Sequence, residues 1–192
     1  MNLTKIETIS RNIKEEKYHQ RSKVFWFLGL SGAGKSTLAQ IIEKKLFDLD
    51  YKVVLLDGDN IRSGINNNLS FSEDDRKENI RRISEISKLF IDNGIIVLNC
   101  FITPTEEMRE IPRTILGDDY IEIFVNSPLS VCEKRDIKGL YKKARKGEIK
   151  NFTGIDSIFE TPTKSNIIID TTLHIDVCVD EILDEILYRI EL

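Results

Sequence analysis

Five short, almost unbroken apolar runs mark the chain, and apolar residues recur at helical spacing in the segments between them. The runs are Val24–Leu28 (VFWFL) and residues 53–56, 95–98, 120–125 and 167–169. Strands with little polar alternation are those buried on both faces, the situation in a parallel sheet. Thr37, Leu38, Ile41, Ile42 and Leu46 outline one helix, and Ile80, Ile83, Ile86 and Phe90 outline another over residues 71–93. The second has Ser72 three residues ahead of Asp75 as a capping start and Asn93-Gly94 as a stop. Residues 104–116 and 128–135 predict two more helices. Residues 177–190 predict a last one, with Val177, Ile182, Leu183, Ile186, Leu187 and Ile190 facing inward. The alternation of strand and helix predicts an α/β three-layer sandwich, a parallel sheet of about five strands with helices on both faces. Residues 1–22 are polar and partly helical, and read as a solvated arm.

The turn after the first strand carries the chemistry. Gly29, Leu30, Ser31, Gly32, Ala33, Gly34, Lys35 and Ser36, followed by Thr37, fit G-x-x-x-x-G-K-[ST] completely. Small residues let successive backbone N–H groups face an anion, and the opening helix adds the positive end of its dipole. In such a loop the lysine reaches the β- and γ-phosphates of a nucleoside triphosphate, and the Ser36 hydroxyl ligates Mg²⁺. The sandwich is therefore of the P-loop NTPase type. Asp57 and Asp59 end the second strand, at the sheet edge where ligands gather in open α/β proteins. A carboxylate there holds Mg²⁺ or accepts the proton of an attacking hydroxyl. No N-K-x-D string, the base-reading element of GTP switches, occurs. The small size and the late basic segment suit a small-molecule kinase.

Composition narrows the partners. The 192 residues correspond to one domain, and 41% hydrophobic content suffices for a packed core. Thirty-two acids against 28 bases give a net charge of -4, which disfavours nucleic acid or an anionic membrane as the main partner. Cys100, Cys132 and Cys178 form no C-x-x-C pair, and with two histidines they do not make a zinc pattern. No apolar stretch approaches the ~18 residues of a membrane span, and residues 1–20 lack the apolar run of a signal peptide. A reduced, cytoplasmic protein is expected, and a homodimer is compatible with that setting.

Four segments, in order and spacing, resemble the adenylylsulfate kinase (APS kinase) family. They are FWFLGLSGAGKST at 25–37, LLDGDNIR at 55–62, FSEDDRKENIRR at 71–82 and RDIKGLYKKARKGEIKNFTGID at 135–156. The likeness runs from about residue 24 to the last helix. It implies transfer of the γ-phosphoryl of ATP, with Mg²⁺, to the ribose 3′-hydroxyl of adenosine 5′-phosphosulfate (APS), giving PAPS and ADP in sulfate activation. On this resemblance Lys35 and Asp59 are catalytic. Residues 29–37 and Arg135 bind ATP, and Ser36, Asp57 and Asp59 face the metal. Asp59, Arg62, Phe71, Arg76, Asn79, Ile102, Thr103, Lys138 and Phe152 take the acceptor. The chemistry is coherent: guanidinium groups fork onto phosphate and sulfate oxygens, and Phe71 and Phe152 are placed to sandwich a base. Residues 23–192 then form the kinase domain. Its basic lid at about 136–156 carries Lys138, Lys142, Lys143, Arg145, Lys146 and Lys150, with Gly139 and Gly147 to bend it.

The chain departs from the family in the loop after the third strand. Thr103 replaces the usual serine before Pro104, and Glu106 and Glu107 bring negative charge where an anionic acceptor is expected. The tryptophan-histidine pair common before the phosphate loop is also missing. Direct in-line transfer needs no phosphoryl-carrying hydroxyl at Thr103. The runner-up function is a related kinase acting on another nucleotide anhydride, such as cytidine diphosphoramidate in capsule modification. A catalytically silent nucleotide-binding module would need a damaged loop or a lost aspartate, and neither is present.

Overall fold

Val24–Leu28 buries every residue, so alternate side chains feed two separate cores and the strand lies at the centre of its sheet. The computed structural model describes residues 8–192. Around β1 (Val24–Leu28) stand β2 (Val53–Asp57), β3 (Ile96–Cys100), β4 (Tyr120–Asn126) and β5 (Ile167–Asp170), all parallel, in the order β2-β3-β1-β4-β5. The helices are α1 (Arg11–Tyr18), α2 (Lys35–Asp48), α3 (Gly58–Ser63) and α4 (Glu73–Ile91), then α5 (Glu106–Leu116), α6 (Leu129–Arg135), α7 (Leu140–Arg145) and α8 (Ile175–Ile190). Phe25 and Phe27 pack toward Leu38, Ile42 and Leu46 of α2 and Ile182 and Ile186 of α8. Val24, Trp26 and Leu28 face the opposite core, with Ile80 and Ile83 of α4 and Leu116 of α5. Helices thus cover both faces of the central strands, as their lack of alternation requires; β5, at the sheet edge, does alternate and leaves Ile168 exposed, against the expectation for 167–169.

The order of strands places the site. From β1 the chain crosses to one side for β2 and β3, then to the other for β4 and β5, leaving a crevice at the C-terminal end of β1. Among the described residues no helix is long and apolar enough to cross a membrane.

Three further expectations are corrected, and the basic segment gains a helix. The arm is not a solvated extension from Arg11 onward: α1 is docked by Arg11 to Asp119 and by Glu15 to Ser22, and Gln20 and Ser22 are fully buried. Residues 1–7 of that arm lie outside the described residues. Val177 is exposed, and Cys178 and Val179 turn inward instead, because the buried stripe of α8 runs through Cys178, Ile182, Ile186 and Ile190 at four-residue spacing, which Val177 misses by one position. The Asp57-Gly58-Asp59 turn continues into the short helix α3, for which Asp57 is the cap, accepting from Asp59 N at 3.0 Å. The basic segment contains α7, whose first N–H groups, on Tyr141 and Lys142, are accepted by Asp136 at 3.0 Å each.

Candidate active site

The phosphate loop is shaped by what cannot fit beside it. Gly29 has φ +147°, and a Cβ there would lie 2.5 Å from Val125 O, so only glycine lets β1 leave the sheet at this point. Its N–H donates to Ile102 O at 3.4 Å, tying the loop to the turn after β3. Lys35 folds back over the loop and donates to Gly29 O and Leu30 O at 3.0 and 2.8 Å. Burial lowers its ammonium pKa to about 8. Ser36 Oγ donates to Asp57 Oδ2 at 2.6 Å, bringing two hard oxygen donors together at the end of the loop. Arg135 braces the loop from beneath, donating to Ala33 O at 3.2 Å and Thr171 O at 2.6 Å.

Beyond the loop opens a cavity of about 830 Å³ that joins nearly all the predicted residues. Residues 31–37, Asp57, Asp59, Arg62, Phe71, Arg76, Asn79, Ile102, Thr103, Arg135, Lys138 and Phe152 all line it. Gly29 and Leu30 do not: Gly29 lies behind the loop, and the Leu30 side chain turns to a separate hollow with Leu129 and Gly154. Leu30 therefore offers only its backbone to a phosphate. The two aspartates diverge as well. Asp57 faces Ser36, whereas Asp59 is exposed and meets Lys138.

The far wall is cationic and aromatic. The Arg62 guanidinium lies over the Phe71 ring at 4.4 Å, and that of Arg76 lies 5.9 Å from the same ring. Burial pulls both guanidinium groups below their ordinary pKa, and repulsion from Arg76 adds to the effect on Arg62. Two partly desolvated like charges side by side favour an anion between them. Arg76 also donates to Asn151 O at 2.6 Å and Thr153 Oγ1 at 3.0 Å, which ties the basic segment across the cavity. Phe152 meets the Tyr141 ring edge-on at 5.0 Å.

Comparison with known proteins agrees with this geometry. The family model for adenylylsulphate kinase matches residues 21–170. The chain belongs to the adenylylsulfate kinase family. It is 54% identical over 184 residues to the adenylyl-sulfate kinase of Bacteroides fragilis (strain YCH46), covering 95% of this chain and 91% of that one. It is 52% identical over 177 residues to that of Clostridium acetobutylicum, covering 92% and 88%. Among solved structures it is similar to the Mycobacterium tuberculosis APS kinase CysC in complex with AMPPNP and APS. That similarity has a TM-score of 0.82 and 44% identity, and covers 85% of this chain and 96% of that one.

Within this APS kinase fold the departures in sequence are absorbed locally. Glu106 pairs with Arg113 and with Arg109 at 3.5 Å, and Glu107 pairs with Lys77 at 2.8 Å; neither lines the cavity. The negative charge expected near the acceptor is therefore neutralised outside it. Thr103 is buried at φ +43°, and its Oγ1 accepts from Trp26 Nε1 at 2.9 Å. Arg109, fully buried, donates to Thr103 O and Pro104 O at 3.2 and 3.1 Å and holds this unusual backbone in place. Sequence reasoning missed Arg109 and also Tyr141, whose hydroxyl donates to Ser31 O at 2.9 Å, and Thr171 beneath the loop. Tyr141 lies inside the matched lid segment, which was the available signal. Arg109 gave none, being one arginine among many on a helix.

Proposed function

We propose that this chain transfers the γ-phosphoryl of ATP to the ribose 3′-hydroxyl of APS, releasing PAPS and ADP. The observation that carries the reading is the single cavity in which a phosphate loop, Asp59, two partly desolvated arginines and two aromatic rings meet. Family membership supports it.

The geometry supports a role for each residue. Lys35 exchanges its two carbonyl partners for the β- and γ-phosphate oxygens and holds charge that develops as the γ-phosphoryl leaves. Ser36 and Asp57 are hard oxygen donors, the kind that suits Mg²⁺ held by one or two carboxylates and the substrate phosphates. Mg²⁺, when bound, neutralises phosphate charge. Asp59 stands one turn of chain beyond and accepts the proton of the attacking hydroxyl, with Lys138 beside it. Arg62 and Arg76 grip the anionic anhydride of the acceptor, Phe71 and Phe152 hold its base, and Asn79, Ile102 and Thr103 complete the wall. Arg135 stays under the donor nucleotide. Residues 23–192 act as the kinase unit and 136–156 as its lid, which excludes water that would hydrolyse ATP. The setting we propose is the reducing cytoplasm, where free buried thiols such as Cys100, Cys132 and Cys178 persist.

The test is coupled ADP release with ATP and a panel of nucleotide acceptors. APS is expected to support turnover. Turnover with cytidine diphosphoramidate and none with APS would overturn the acceptor, and no ADP release with any acceptor would overturn the kinase.

A further inference from the structure

Behind Asn79 lies a relay of side chains that settles which of its two polar atoms faces the cavity. Arg82, three residues further along α4, is anchored by Glu78, with Nε donating to Oε1 at 2.8 Å. A guanidinium carries donors only and does not lose its charge. It donates to Asn68 Oδ1 at 2.9 Å and to Asn66 Oδ1 at 3.3 Å. Asn66 is wholly buried in the turns after α3, where its N–H also donates to Ile61 O at 3.0 Å. With its oxygen turned to Arg82, its Nδ2 points the other way and donates to Asn79 Oδ1 at 2.9 Å. Asn79 is 3% exposed and lines the cavity. Its oxygen is occupied, and among the described residues its Nδ2 has no hydrogen-bond partner.

We propose that Asn66, locked by Arg82, presets Asn79 as a hydrogen-bond donor and thereby selects an acceptor nucleotide that presents an oxygen lone pair at that point. An isolated asparagine turns over at little cost and offers either atom. One held through a buried amide to a permanent cation has only one polarity to offer, because each link fixes the next. Asn66 is thus a positioning residue for the acceptor. The inference deepens the reading of the site given above and rests on Asn79 touching the acceptor.

Asn66→Asp tests it with almost no change of shape. The aspartate still accepts from Arg82, but its second oxygen now needs a donor, so Asn79 turns its Nδ2 inward and presents an oxygen to the cavity. Titration of APS in the presence of ADP is expected to show affinity falling about 10- to 100-fold. The acceptor KM should rise in step, while affinity for a non-hydrolysable ATP analogue and the Tm stay near wild type. Asn79→Leu should lose APS affinity to a similar degree. If Asn79→Leu loses APS and Asn66→Asp does not, the relay is wrong and the reading of Asn79 stands. If neither variant loses APS, both are wrong. Equal losses for APS and the ATP analogue in Asn66→Asp would also overturn the relay, because they show a general structural role. Arg82→Met removes the anchor without touching either asparagine and is a second route should Asn66→Asp fold poorly. A smaller, APS-selective loss supports the relay, and unchanged APS affinity overturns it.

Discussion

Lys35 has both protonation states within reach of ordinary buffers, because burial brings its pKa down to about 8. Below that value the ammonium is ready for phosphate. Above it the free protein holds a neutral amine, and binding a polyanion must first restore the proton, since the anion favours the charged form. Nucleotide affinity is therefore expected to weaken by up to about tenfold per pH unit above pH ~8. Titrating an ATP analogue from about pH 7 to about pH 9.5 checks this, with Lys35→Arg, permanently charged, as the flat control. A wild-type affinity that does not change over this range would sink the assignment. Asp59 makes a separate prediction. It does not contact the phosphate loop, so Asp59→Asn should cost ~10²–10⁴-fold in kcat and little in ATP affinity. A raised KM for ATP with kcat intact would show that Asp59 binds the donor and takes no proton.

At the scale of elements, α1 is held by polar groups more than by apolar ones, since no residue of that helix is itself buried. Gln20, just after it, closes the join. Its Nε2 donates to Lys52 O and Gly94 O at 3.0 and 2.8 Å, and its Oε1 accepts from Lys52 N at 2.7 Å. One side chain thus satisfies backbone groups at the starts of two strands, β2 and β3. Gln20→Ala would leave Gly94 O and Lys52 N without their partner, whereas Lys52 O keeps Ile96 N at 2.9 Å, so a loss of ~1–3 kcal/mol in urea unfolding is expected. The kcat should hold, because Gln20 does not line the cavity. A loss below ~0.5 kcal/mol would mean that water replaces the side chain or that α1 is dispensable.

The whole molecule is acidic, yet its cavity wall is basic. The fold concentrates Arg62, Arg76, Lys138 and Arg135 around one hollow, so the local field opposes the net charge and favours anionic ligands. Ligands that bridge the two sides of this hollow should stabilise the native chain by mass action. An ATP analogue at about 100 times its Kd contributes ~2.7 kcal/mol, which for a chain of this size is a rise in Tm of roughly 5–11 °C. Thermal unfolding with and without the analogue measures it, and no rise at saturation would mean that the phosphate loop is not the nucleotide site.

Much of this was legible in the sequence, because it is local. Val24–Leu28 announces a central strand by its lack of alternation, residues 29–36 announce a phosphate loop by spacing alone, and Ser72 with Asp75 marks the start of α4. Such features need only a residue's near neighbours along the chain, so periodicity and turn chemistry reveal them. Other features depend on which distant segments come together. Polar spacing alone makes Arg11 and Gln20 look solvated, until Asp119, Lys52 and Gly94 arrive beside them. Glu106 and Glu107 look hostile to an anionic acceptor until Arg113 and Lys77 turn them away. The direction of the Asn79 amide depends on Arg82 acting through Asn66, 13 residues from Asn79. A single hydrogen bond or ion pair carries no periodic trace in sequence, since either partner would be equally at home in water. The type of fold and the chemistry of the loop were therefore set by local pattern, whereas the fit of the acceptor wall was decided only by tertiary packing, which desolvates those polar groups and leaves each one a single partner.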